Sequence, residues 1–98
     1  MTFTRDQLAS KLAKVLTEIQ SKSGRSCPKL ENSTRPIGGL ENFSSLNGLE
    51  ATVMLEKELG HQFKGIQNIC VSPDMKHALR FKDIVDRLST LLEPKRAA

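Results

Sequence analysis

The stretch Asn42-Phe43-Ser44-Ser45-Leu46-Asn47-Gly48-Leu49-Glu50-Ala51-Thr52-Val53-Met54-Leu55-Glu56-Lys57-Glu58-Leu59-Gly60 decides the reading of this chain. Two serines stand directly before an apolar-periodic segment, the pattern of a loop turning into an amphipathic helix. The spacing predicts a helix over about Leu46 to Leu59, with Leu46, Leu49, Val53, Leu55 and Leu59 turned inward. Gly60 is placed to stop it, because glycine accepts the left-handed backbone of a helix end at no steric cost. Ser44 or Ser45 reads as the N-cap, where a hydroxyl takes up an otherwise unpaired N–H of the first turn. Ser45 is the candidate working atom, a hydroxyl presented at the boundary between loop and helix.

Upstream, Thr4-Arg5-Asp6-Gln7 has the form of a capping box and predicts a first helix. Leu8, Leu12, Val15, Leu16 and Ile19 line one of its faces, and Ser21 to Gly24 ends it. From Arg25 to Asn42, Pro28, Pro36, Gly38 and Gly39 interrupt both helical and strand periods, which predicts a long loop anchored by Leu30, Ile37, Leu40 and Phe43. Gly38-Gly39 reads as a turn, since no Gly-Lys-Ser/Thr follows to make a phosphate-cradling loop. Downstream, residues 61–71 hold an apolar run, Ile66, Ile69, Cys70 and Val71, whose pattern does not decide its conformation. Ser72-Pro73-Asp74 reads as N-cap, helical Pro and acidic first turn, predicting a short third helix to about Leu79. Phe81, Ile84, Val85, Leu88, Leu91 and Leu92 form the periodic face of a final helix closed by Pro94, with a frayed tail after it.

Ninety-eight residues with 38% hydrophobic and 27% charged content fit one domain over 1–98, with its core over about 4–92 and a tail over 93–98. A chain this small does not readily build a deep cavity with its own catalytic apparatus, and no nucleophile-base-orienter set stands at local spacing, so a non-enzymatic role is expected. No stretch is apolar enough to span a bilayer, and the polar start lacks the regions of a secretory signal, which predicts a cytoplasmic location. Cys27 and Cys70 lack paired spacing and read as separate thiols; with His61 and His77 equally scattered, no metal site is expected. The net charge of +4 divides unevenly, with +4 over residues 1–30, −3 over 31–60 and +3 over 61–98. The candidate segment is thus the acidic part of a basic chain. A nucleic-acid partner would have only this net charge to recommend it, since four Phe and no Trp or Tyr offer little stacking.

The segment from Asn42 to Gly60 resembles the attachment site of acyl and peptidyl carrier proteins, whose signature is an Asp-Ser-Leu triplet opening the second helix, followed by an apolar helix carrying Glu residues. Pro36 to Phe43 is similar to that family's approach to the site, and Phe81 to Leu88 to its closing helix. The resemblance covers nearly the whole chain and implies an all-α, four-helix bundle of carrier type, with three longer helices, a short third one and a long first loop. It implies 4′-phosphopantetheine attached covalently to Ser45, flanked by Ser44 and Leu46, with acyl groups carried as thioesters on the arm. The implied partners are a phosphopantetheinyl transferase and acyl-loading or acyl-processing enzymes, serving a specialised pathway. These would dock on Glu50, Glu56 and Glu58, with Thr52 and Val53 as contacts between them. No nucleic acid and no membrane span is expected, and the chain is expected to be a monomer.

The chain departs from the family pattern at Ser44, where the pattern has Asp, at Asn47, where an acid is common, and at Lys57 within the acidic face. Its basic balance is a further departure, since typical carriers are strongly acidic. These differences motivate a second reading, a carrier-fold interaction module that bears no arm.

Overall fold

The computed structural model describes residues 3–92; the expected stop at Pro94 and the tail beyond it lie outside the described residues. Helix α1 spans Arg5–Lys22 and begins in the predicted capping box. The Gln7 N–H donates to Thr4 Oγ1 at 3.1 Å, and the Thr4 N–H donates to Gln7 Oε1 at 2.8 Å. Leu8, Leu12, Val15, Leu16 and Ile19 are all buried, as their spacing predicts. Gln20 is buried beside them, and its Nε2 donates to the carbonyls of Ser26 (3.2 Å) and Glu41 (2.8 Å). One polar side chain of α1 thus fastens both limbs of the following loop; its two donated bonds offset the desolvation of the amide only in part, because Gln20 Oε1 is buried without a partner among the described residues.

That loop contains one helical turn, α2, over Pro36–Gly39, in which Ile37 and Gly38 leave helical angles and Gly38 takes φ 89°. Leu40 and Phe43 are buried, and Leu30 and Ile37 pack half-buried against the same core, so all four expected anchors hold the loop down. The carbonyls of Thr34 and Asn32 accept from Phe81 N (2.6 Å) and Lys82 N (3.1 Å). The loop thereby satisfies the exposed donors at the start of the last helix.

Helix α3 spans Ser45–Leu59, with Gly60 at φ 65° as its left-handed cap. Helix α4 spans Phe81–Leu92 and buries Phe81, Ile84, Val85 and Leu88. Helix α1 packs against both α3 and α4. The described residues form a small all-helical fold of four helices, without a strand, around one continuous apolar cluster.

Two sequence expectations are corrected. The short helix is the second in chain order, within the long loop, and no third helix forms over residues 73–79. There the chain turns back on itself. Ser72 N donates to His77 O and Leu79 N to Cys70 O, both at 2.8 Å, around an antiparallel bridge of Val71 with Ala78. Asp74, expected to favour a helix start, instead accepts from Ser72 Oγ and from the Lys76 N–H. Ser72 Oγ in turn accepts from the His77 N–H at 3.1 Å. These side chains satisfy local backbone donors in a turn and so compete with the helix they were expected to start.

The second correction concerns the face of α3. Leu55 and Leu59 are buried as expected, with Gly48, Ala51 and Thr52 beside them, whereas the other three expected residues face outward: Leu46 is 73% exposed, Val53 51% and Leu49 41%. Both sets have helical spacing, so periodicity alone did not separate them. What selects the observed face is the chain over 61–71. Asn68 lies so close to α3 that a Cβ at Gly48 would stand 2.4 Å from Asn68 Oδ1. Thr52 Oγ1 accepts from Ile69 N at 2.9 Å while donating to Gly48 O at 2.8 Å.

Candidate functional site

Ser44 is the N-cap of α3, in extended backbone, and Ser45 is the first helical residue. Asn47 reaches back, its Oδ1 accepting from the Ser44 N–H at 3.0 Å and from Ser44 Oγ at 3.3 Å. The Ser44 carbonyl accepts from Gly48 N at 3.1 Å, the first bond of the helical ladder. Two of the three positions where the chain departs from an acidic pattern, Ser44 and Asn47, are therefore engaged with each other.

Ser45 is exposed, and its hydroxyl has no hydrogen-bond partner among the described residues. Its carbonyl accepts from Asn68 Nδ2 at 2.9 Å, and Asn68 Oδ1 accepts from Cys70 N at 3.0 Å. The backbone under Ser45 is thus held from below while the side chain stays available. No acidic side chain occupies the first turn of α3, so the positive end of its dipole is not neutralised there.

Leu46, Leu49 and Val53 make an apolar stripe that starts next to Ser45 and runs down the outer face of α3. Of the expected docking residues, Val53 and Glu50 lie on the exposed surface. Thr52 is only 3% exposed, which corrects its expected part in partner contact: its hydroxyl ties α3 to Ile69. Glu56 accepts from Phe63 N at 2.8 Å and fixes the chain leaving the helix. Glu58 pairs with Lys14 at 2.9 Å and Lys11 at 3.1 Å, joining α3 to α1. The hydrogen bond from Lys14, then that from Lys11, hold the Glu58 carboxyl below its ordinary range, and Glu58 raises Lys14 in return. The outer face of α3 consequently offers more apolar surface and less negative charge than the sequence promised.

Cys27 and Cys70 are both free thiols. Burial pushes the Cys70 thiol up to about 12, a protonated group with no nucleophilic character at neutral pH. Among the described residues no group of three or more His, Cys, Asp and Glu side chains could hold a metal ion, and no helix is long and apolar enough to cross a membrane. No family model matches the chain, and comparison with curated proteins and with solved structures gives no match.

Proposed function

We propose that this chain is a carrier protein of the acyl or peptidyl type, with 4′-phosphopantetheine borne on Ser45. The observation that supports the reading most is the division of labour between the two serines. Ser44 occupies the N-cap and is bonded to Asn47, so Ser45 is not needed to cap the helix, and its exposed hydroxyl is left without a partner among the described residues. An N-cap role was the strongest competing explanation of Ser45.

The chemistry suits this placement. A transferase would join Ser45 Oγ to the phosphorus of the pantetheine phosphate of coenzyme A, with Mg²⁺ present; the pyrophosphate bond breaks, adenosine bisphosphate leaves and the hydroxyl proton passes to a base of that enzyme. The attached group supplies a thiol on which acyl groups ride as thioesters. The chain's own part is to present the hydroxyl, to hold the backbone beneath it through Asn68, and to place the new phosphodiester at the positive end of α3. Partner enzymes would then meet the stripe of Leu46, Leu49 and Val53 with Glu50 beside it. Burial of such apolar groups contributes more to affinity than exposed charge pairs do.

Incubation with coenzyme A, Mg²⁺ and a broad-specificity transferase, read by intact mass and peptide mapping, tests this. One phosphopantetheine on Ser45 is expected, and an unchanged mass would overturn the proposal. The second reading, an interaction module without the arm, draws on the absence of a carboxylate at Ser44. A Ser44→Asp variant that is modified where the native chain is not would establish it.

A further inference from the structure

A cleft of about 400 Å³ is formed by the 65–68 segment, the 72–78 turn and α4. It is linked to Ser45 through one residue: Asn68, which lines the cleft, donates from its side chain to the Ser45 carbonyl at 2.9 Å. Ile66, Pro73 and Met75 give it apolar walls, and Gln67, Asn68 and Arg87 give it polar ones. Met75 sits at φ 62° and is 55% exposed, an adaptable thioether at the rim on a left-handed backbone.

Arg87 is the charged side chain of the cleft lining. Its Nη1 donates to the carbonyls of Val71 (2.5 Å) and Asn68 (3.3 Å), which fixes the guanidinium in place. The Nε–Nη2 edge, the geometry that meets a carboxylate with two parallel hydrogen bonds, has no partner among the described residues. Arg87 has no ion pair among those residues, and no acidic side chain lines the cleft. Partial burial disfavours its charge, the opposite of what a resident counter-ion would do. A partly desolvated cation with a preorganised, unused donor edge is complementary to an anion supplied from outside.

Resting on the carrier reading, we infer that this cleft receives the far end of the Ser45-borne cargo and that the cargo ends in a carboxylate, bound by Arg87 with Gln67 beside it. The apolar walls take the methylene chain of a short dicarboxylic acyl group, and the arginine distinguishes it from a plain fatty acyl group of the same length. A monocarboxylic chain would leave the guanidinium desolvated and unpaired.

The test uses two free thioesters, S-glutaryl- and S-pentanoyl-N-acetylcysteamine, titrated into the ¹⁵N-labelled native chain. The expected result is movement of the Arg87 Nε–H signal and of the amides of Gly65 to Asn68 with the glutaryl compound, at an affinity about tenfold or more above that of the pentanoyl one. Arg87→Gln is expected to level the two. Equal affinities in the native chain, or no shift at these residues with either compound, would overturn the inference, and neither outcome depends on the variant's folding. Loading at Ser45 is scored separately by mass. Selective glutaryl binding without loading would overturn the carrier reading and uphold the carboxylate site, while loading without selectivity would do the reverse.

Discussion

Two serine-led segments of this chain look alike and fold differently. Ser44-Ser45-Leu46 opens the 15-residue helix α3, whereas Ser72-Pro73-Asp74, with better helix-start chemistry on paper, closes a turn. In each the serine is engaged with a side chain two or three residues on, Asn47 in one and Asp74 in the other. What differs is the sequence that follows. After Ser45 come Gly48, Ala51, Thr52, Leu55 and Leu59, a continuous face that the core and the 61–71 segment can bury. After Asp74 come Met75, Lys76 and His77, all exposed, with nothing to pack. Cap chemistry selects where a helix starts; burial of its face decides whether it exists, because a short helix alone is marginal in water.

The largest way to break the α3 side is Leu55→Ala. It removes a fully buried side chain and is expected to cost about 2–5 kcal/mol. Leu46→Gln, on the exposed stripe, should stay within about 0.5 kcal/mol, as surface changes do. Equal losses in denaturant unfolding would mean that the face of α3 is wrongly placed. Next comes Gly48→Ala, favoured by helix propensity alone but opposed here by the Asn68 side chain 2.4 Å from the new Cβ. Overpacking of this kind costs about 1–3 kcal/mol, so a net loss is expected. A more stable variant would show that Asn68 does not lie against α3.

On the other side, Met75→Gly turns on a sign. In a helix the change would destabilise by about 1 kcal/mol; in a turn with Met75 at φ 62° it relieves a left-handed backbone and should be neutral or stabilising. The smallest effect is on pH dependence. Bonds from the Ser72 hydroxyl and then the Lys76 N–H hold Asp74 below its ordinary carboxylate range. A depressed folded pKa contributes stability above the unfolded value and loses it as pH falls through the folded one. Asp74→Asn should therefore flatten the acid end of the stability curve slightly, and an unchanged curve in acid unfolding would count against the turn.

The same comparison shows what was legible beforehand. The capping box at Thr4, the buried face of α1, the four loop anchors and the stop at Gly60 rest on local chemistry and periodicity, and the structure shows each as expected. At Ser72 the same cap chemistry serves a helix start and a turn, so local sequence does not separate the two. On α3, Leu55 and Leu59 are buried as expected, but Leu46, Leu49 and Val53 share the helical period and face outward, and that choice rests on Asn68 and Ile69, many residues away. Nor did the sequence indicate that Thr52, Glu56 and Glu58 are occupied in holding the fold, or that Arg87 shares a cleft with Asn68, the residue bonded to the Ser45 carbonyl. Those depend on contacts between distant segments. Only the pairing of a glycine with a bulky polar partner, Gly48 with Asn68, left a trace, as an unexplained glycine within a helix.

The most direct measurement treats Ser44→Ala and Ser45→Ala side by side with the transferase, coenzyme A and Mg²⁺, each checked for helical content. Phosphopantetheine on Ser44→Ala and none on Ser45→Ala is the expected result, with Ser44 acting as the cap and Ser45 as the attachment point. Modification of Ser45→Ala, or loss of it only in Ser44→Ala, would contradict the account.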